Sequence, residues 1–417
     1  MNPILLSWSI GLAATAGVIL RPFRWPEAIW AVAGAVLLVA LGLLPASAAW
    51  QAVGKGADVY LFLIGMMLLS ELGRREGLFD WIAVLAVNHA KGSPRRLFLL
   101  VYLVGVVVTT FLSNDAAAVV LTPAVFAAGN KAQTKPLPLL YVCAFIANAA
   151  SFVLPISNPA NLVLYANHTP ALGLWVARFA LPSMLSIVAT FLALRWTLRG
   201  DLAGACARDL PVEPLGASGK VTLAGIGVTA IALLAVSAFD MQLGLPTAIL
   251  GMLTALVVLT MERRSPVELV SEISWSVLPL VAGLFVLVEM LGHTGVIAAL
   301  SNLLAHSTQQ NQPLTALASG GIIALGSNAI NNLPAGLIAS AAALQAHSPE
   351  RVIDAMLIGV DLGPNLSITG SLATILWLSS IRREGEEVSF MQFFRVGVVV
   401  MLPALVLALG ARLLLAH

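Results

Sequence analysis

Residues 361–378 read DLGPNLSITGSLATILWL and lie between two apolar runs, in a chain of 417 residues that is 59% hydrophobic and 10% charged. Soluble domains average about 25% charged residues, so the solvent around this stretch is a bilayer. Pro364 removes a backbone donor and disfavours helical backbone just before it, while Gly363 and Gly370 tolerate open conformations. Asn365, Ser367, Thr369, Ser371 and Thr374 offer side-chain partners for the peptide groups so released. The stretch therefore predicts a membrane crossing that unwinds at mid-depth and restarts. Broken backbone is tolerated there only when it is buried in protein or lines a wet cavity.

A helix crosses a bilayer with about 20 apolar residues. Segments 4–20, 28–45, 58–73, 138–166, 173–195, 220–239, 245–261, 275–291, 352–380 and 394–413 read as crossings. Segments 77–90, 97–129, 292–305 and 314–345 are apolar but fit a full crossing less well, and 77–90 reads as lying along the interface. With the N-terminus outside, 18 of the 22 Lys and Arg residues fall on the inner side, which leaves Lys55, Arg178, Arg351 and Arg412 outside. The opening MNPILLSWSIGLAATAGVILRPFR lacks the basic start and small-residue cleavage site of a secretory signal and reads as the first span.

The two halves repeat one another. PEAIWAVAGAVLLVALGLL from Pro26 matches PTAILGMLTALVVLT from Pro246, and SELGRREGL from Ser70 matches VEMLGHTGV from Val288, superposing Glu71 on Glu289. SNDAAAVVLTP around Asn114 matches INNLPAGL around Asn331, and FIANAASFVLPISNPANLVL from Phe145 matches LIGVDLGPNLSITGSLATIL from Leu357. The offsets are 220, 218, 217 and 212, and the last of them places Asp361 opposite Ala149. The chain thus divides into a first repeat at 1–198, a cytoplasmic linker at 199–219 and a second repeat at 220–417. Each repeat holds five crossings, an odd number, so the second copy is upside down. Such repeats mark secondary transporters that bind substrate at the midplane where the copies meet.

The repeat pairs four polar clusters. SND (Ser113, Asn114, Asp115) pairs with SNAINN (Ser327, Asn328, Asn331, Asn332), and each reads as the tip of a re-entrant helical hairpin. ISNPAN (Ser157, Asn158, Asn161) pairs with GPNLSITGS (Asn365, Thr369, Ser371), and each reads as a break inside one long crossing. Half-helix ends, Asn, Ser and Thr recognise a small polar solute without net charge. Intramembrane carboxylates serve ion or proton coupling, which singles out Asp115 and Asp361, with Glu71 and Glu289 weaker because they lie near span ends. The alternative role for all of these residues is capping of freed backbone.

The formal charge of +2 is too small for a nucleic-acid partner. Cys143 and Cys206 give neither a disulfide framework nor a metal-spaced cluster, and the histidines at 89, 168, 293, 306, 347 and 417 share no ligand spacing, so neither metal nor other cofactor is expected. An intramembrane hydrolase would need a nucleophile beside a base, and neither Gly-x-Ser-x-Gly nor His-Glu-x-x-His occurs.

FLSNDAAAVVLTPAV, SNAINNLPAG and DLGPNLSITGSLATILWL together resemble the ArsB-type arsenite/antimonite efflux permeases of the ion transporter superfamily, over nearly the whole chain. The Asn-Asp and Asn-Asn tips are shared with neighbouring carboxylate and sodium/proton families. The resemblance implies a multi-pass inner-membrane exporter of trivalent arsenic and antimony, driven by protons or assisted by an arsenite-stimulated ATPase, while the Lys and Arg bias with ten crossings puts both termini on the periplasmic side. It also implies scaffold and transport domains, an elevator-like motion and a homodimer. The expected fold is an all-α polytopic membrane protein of two inverted-topology repeats, each of five crossings, one broken, plus a hairpin. The pocket agrees independently: neutral arsenite is an uncharged trihydroxide, which suits Ser113, Asn114, Ser157, Asn158, Asn161, Asn331, Asn332, Asn365, Thr369 and Ser371 without an arginine clamp. The alternatives are a sodium/proton antiporter and a small-carboxylate transporter of the same superfamily.

Overall fold

In a computed structural model, which describes residues 3–165, 169–239 and 241–415, every regular element is a helix. Seven helices are long and apolar enough to cross a bilayer, or nine when the bent pairs Ala46–Lys55 with Ala57–Arg75 and Pro266–Glu272 with Val277–His293 each count once. The chain is a multi-pass membrane protein. Three expected crossings fall below span length: Glu27–Ala40 is a helix of 14 residues, and the other two are interrupted. The interrupted ones run as Leu137–Ala149 then Pro159–Leu164, and as Glu350–Leu362 then Leu372–Arg383. The end of the expected 138–166 span, together with His168 and His417, lies outside the described residues.

Corresponding helices of the two halves make corresponding contacts. Glu27–Ala40 packs on Val277–His293, and Gly244–Glu262 packs on Ala57–Arg75. Pro94–Leu112 packs on Leu137–Ala149 as Gln312–Ile330 packs on Glu350–Leu362. The long helices Leu172–Thr197 and Phe390–Leu414 pack on one another. Short helices Leu78–Ala90 and Val296–Gln310 each follow a left-handed glycine, Gly77 at φ 69° and Gly295 at φ 81°, and each packs on the second arm of its own half's hairpin.

Small residues let these helices meet backbone to backbone, the way association is driven where lipid is as apolar as the side chains. Gly65 faces Gly251 and Thr247, and Gly283 faces Ala31. Gly320 and Ala324 lie against the Ala355, Gly359 and Gly363 row, so close that a methyl on Gly359 would strike the Gly320 carbonyl. The Trp377 of the LWL motif is fully buried and donates from Nε1 to the Leu140 carbonyl at 2.9 Å, so it anchors the second broken crossing to the first.

The polar stretch between the halves is not a free tether. Residues 203–216 carry no helix, yet the Cys206 amide donates to Gly92 O at 3.1 Å and the Ala207 amide to Ala132 O at 2.8 Å. Asn88 and Leu210 exchange two hydrogen bonds, at 2.9 and 2.8 Å. The strap thus holds the base of the first hairpin's second arm, and burial pushes the Cys206 thiol up.

Neighbouring glycines of one helix give a test of the close packing. A methyl on Gly320 would sit 2.7 Å from Ala355 O, whereas one on Gly321 meets nothing within 4 Å. Thermal unfolding in detergent should show G320A destabilised by about 1–3 kcal/mol, and G321A unchanged or stabilised by up to about 1 kcal/mol.

Candidate functional site

Both interrupted crossings restart beneath a capping side chain in extended backbone. Asn158 (φ −152°, ψ 131°) accepts from the Ala160 amide at 3.0 Å and opens Pro159–Leu164. Ser371 (φ −141°, ψ 158°) accepts from the Thr374 amide at 3.1 Å and opens Leu372–Arg383. The preceding helices end at Ala149 and Leu362, and all these ends agree at a spacing of 213 residues. This corrects the register read from the sequence by one residue: Asp361 stands opposite Asn148, not Ala149. Apolar similarity alone set the earlier register, and caps set the real one.

The two breaks touch through side chains. Asn158 Nδ2 donates to Asp361 Oδ1 at 2.6 Å, and the mate of this bond runs from Ser371 Oγ to Asn148 Oδ1 at 3.4 Å. Asn148 Nδ2 donates to Asn365 Oδ1 at 3.0 Å, and Asn365 Nδ2 donates to Phe145 O at 3.1 Å. Asn161 Nδ2 donates to Ser151 O at 2.8 Å and so fixes the irregular segment of its own break. Asn158, Asp361, Asn365 and Ser371 are all buried.

The hairpins close on the same place. Pro94–Leu112 turns at Ser113 into a second arm that runs from Asn114 to Lys131, and Gln312–Ile330 turns at Asn331 into Asn332–Gln345. Ser113 has φ 122°, ψ 163° and Asn331 has φ 74°, ψ 153°, a region that is essentially restricted to glycine; each opens a second arm, so Asn331 corresponds to Ser113 and not to Asn114 as the sequence match had it. Ser157 Oγ donates to Thr110 O at 3.0 Å, joining the first hairpin to the first break. Asn328, the mate of Thr110, joins the second: its Nδ2 donates to Gly363 O at 2.9 Å and its Oδ1 accepts from Ser367 Oγ at 2.7 Å. Thr369 Oγ1 donates to Asn328 O at 3.2 Å, and Asn331 Nδ2 to Thr369 O at 3.4 Å. Each hairpin also packs on the restarted helix of the other half's break.

These bonds separate residues that hold the frame from those with capacity to spare. Ser157 donates to Thr110 and accepts from the Leu154 amide, and both ends of the Asn365 amide are engaged, so both serve the frame. Thr109 Oγ1, Thr110 Oγ1, Asn114 Oδ1, Asn161 Oδ1 and Asp361 Oδ2 are buried without a protein partner. Ser113 and Asn332 are buried at the tips, and Asp115 is half-buried in the first turn of the second arm, where the helix N-terminus favours a carboxylate. Among the described residues, no Lys or Arg bonds to this group. Glu71 and Glu289 are engaged elsewhere: Arg74 donates from Nε to both oxygens of Glu71 at 3.1 and 3.0 Å, and Lys55 meets Glu289 at 2.8 Å.

Reading the sequence passed over Asn148, which FIANAA carries, and named Asn328 at the SNAINN tip without counting it among the pocket residues. It placed Arg178 and Arg412 on the outer side, within crossings 173–195 and 394–413, without a partner; both are fully buried, 2% and 1% exposed. Their partner is Asp354, which is 0% exposed. Arg412 Nε and Nη2 each approach Asp354 Oδ2 at 2.7 Å, the Tyr165 hydroxyl donates to Asp354 Oδ1, and Arg178 pairs with Glu350. The signal was spacing: Asp354 and Asp361 are two helical turns apart on one face, as Asn158 and Tyr165 are.

The description "citrate transporter" matches residues 15–359. This chain belongs to the citrate transporter family of the ion transporter superfamily. It is similar to the arsenical pump membrane protein of Escherichia coli strain K12, with 27% identity over 427 residues that cover 98% of each chain. The corresponding protein of Yersinia enterocolitica is 26% identical and covers 87% of this chain and 86% of its own. An uncharacterized transporter of Mycobacterium tuberculosis is 25% identical over 96% of each chain. The fold is similar to that of the YdaH transporter of Alcanivorax borkumensis, with TM-score 0.58, 16% identity, and 99% and 98% of the two chains covered. This member of the citrate transporter family is a membrane transporter, not an enzyme, and it carries the broken-helix core within a full-length relative of arsenical pumps.

Two measurements test the frame. Ser113 makes no capping bond to offset its backbone, so S113G should relieve about 1–2 kcal/mol of strain and raise the unfolding temperature. N331G also loses the bond that Asn331 accepts from the Leu333 amide, and should stay near wild type. D354N leaves Arg412 buried beside a neutral amide and should cost about 3–5 kcal/mol, whereas replacing Asp354 and Arg412 together by leucine and methionine should cost much less.

Proposed function

We propose that this chain exports arsenite or antimonite, as the neutral trihydroxide, across a cell inner membrane in exchange for protons. The observation that carries the reading is the Asn158–Asp361 bond between the two breaks, which leaves Asp361 Oδ2 outside the geometric hydrogen bonds, near the Ser151 side chain and with no cation bonded to it. A substrate hydroxyl donates to the ionised Oδ2, and a proton bound there removes that acceptor. Proton and substrate thus compete for one atom, and competition at one alternating site is exchange. Asn114 Oδ1 and Asn161 Oδ1 accept further substrate hydroxyls, Thr110 Oγ1 donates or accepts, and Asp115 is a second proton carrier at the hairpin tip. Ser113, Asn158, Asn331, Asn332, Thr369 and Ser371 shape the pocket around them.

The full-length similarity to arsenical pump membrane proteins supports the substrate. Thiolate capture, the other chemistry of trivalent arsenic, finds little here. Cys143 is buried and its thiol donates to Leu139 O at 3.7 Å, while Cys206 is buried within the strap. A citrate-like polyanion would need cations that the breaks do not supply, although half-helix N-termini offer some positive potential. In the proposed arrangement, 1–198 and 220–417 are inverted repeats about the linker 199–219, with both termini periplasmic. A transport domain carrying hairpins and breaks moves elevator-fashion against a scaffold, in a homodimer, and an ATPase docks on the cytoplasmic face.

The test is proton movement in vesicles reconstituted with purified protein. Arsenite and antimonite should each drive proton flux, and D361N should abolish it while D115N weakens it. Flux driven by sodium or by citrate without arsenite would favour the other superfamily activities. Coupling left intact in both D115N and D361N would sink the mechanism.

A further inference from the structure

Away from the breaks, the start of Pro94–Leu112 and the end of Leu172–Thr197 enclose a cleft of about 270 Å³, lined by Arg95, Leu192, Arg195, Trp196, Arg199 and Leu202. We propose that this cleft binds the phosphate headgroup of an anionic phospholipid. Among the described residues, none of the three arginines has a carboxylate within ion-pair distance. The acid nearest in sequence, Asp201, is taken by Lys135 at 2.7 Å. Two of the arginines lie against aromatic rings, Arg195 at 6.0 Å from Phe191 and Arg199 at 5.6 Å from Trp196, which steadies the guanidinium forks for a bidentate oxyanion. Arg95 stands in the first turn of a helix with no acidic residue there, where the macrodipole opposes a cation. An anion in the cleft answers both charges.

What lies beyond the cleft selects a lipid over a free ion. Leu99, Leu103 and Val107 repeat every four residues along one helix and are 39%, 50% and 56% exposed. Met184, Val188 and Leu192 do the same along the other, at 54%, 47% and 56%. The helices are clasped between these ridges by the Tyr102 hydroxyl donating to Ile187 O at 2.6 Å. Two apolar ridges that rise from one basic cleft fit a headgroup with its acyl chains. Trp196, 59% exposed at the mouth, is the amphipathic ring that membrane interfaces collect. The orientation read from the Lys and Arg bias puts this end on the cytoplasmic face, where anionic lipid meets basic pockets.

The experiment counts and weighs lipid on the purified full chain by native mass spectrometry, titrating phosphatidylglycerol against phosphatidylcholine. Wild type should retain phosphatidylglycerol selectively. R95Q/R195Q/R199Q should lose roughly 100-fold in apparent affinity for it, whereas R263Q/R382Q/R383Q, which removes equal charge elsewhere, should not. Equal retention by both triple variants overturns the proposal, and displacement by inorganic phosphate alone would make the cleft an ion site. Should the first variant fail to fold, wild type and W196F in nanodiscs decide the matter. Brominated phosphatidylglycerol should quench the Trp196 share of fluorescence more than brominated phosphatidylcholine does, and equal quenching overturns the assignment.

Discussion

A peptide group released inside a bilayer has no water to bond, so every interruption of a crossing must be answered by protein. In this chain part of the answer is local: Asn161 and Asn328 take up carbonyls within their own halves. Ser186 and Trp175 likewise take the Ala149 and Phe152 carbonyls. The opposite half adds the Asn365 bond to the Phe145 carbonyl and the side-chain bond from Asn158 to Asp361. The contact between the breaks therefore ties the association of the halves to the integrity of the site, and the hairpins, strap and close-packed glycines serve to hold that contact in register.

The broad plan was legible because membrane solvent makes simple demands. Apolar length marks helices, and Pro364, Gly363 and Gly370 mark a break, so the all-helical polytopic fold and both interruptions follow from the residues. Helix caps were harder to read. Asn158 and Ser371 open their helices with different side chains, so a match by similarity slid by one residue and hid the pairing of Asn148 with Asp361. The buried ion cluster was hidden for another reason. Arg178 and Arg412 stand near helix ends, where the charge bias reports only the side of the membrane, and the tertiary approach of Asp354 and Glu350 lets them stay inside. Asn328 was visible, but nothing in a sequence distinguishes a residue that bonds across a tip from one that lines it.

The two halves differ in side-chain chemistry at corresponding positions. A symmetric pair at 148 and 361 could be two amides, which bind no proton, or two carboxyls. Carboxyls sharing one core repel, and neither would then behave independently. The chain has one of each, and the amide member is locked by Asn365 and Ser371 while the carboxyl keeps a free oxygen. The same holds two turns away, where Asp354 with its arginines occupies the position that Tyr141 fills beside Phe145, Trp377 and Phe393 in the first half. Duplication supplies a frame whose two ends are equivalent in backbone. Asp354 and Asp361, the buried carboxyls of the broken crossings, both stand on one helix, Glu350–Leu362, which makes the two ends chemically different.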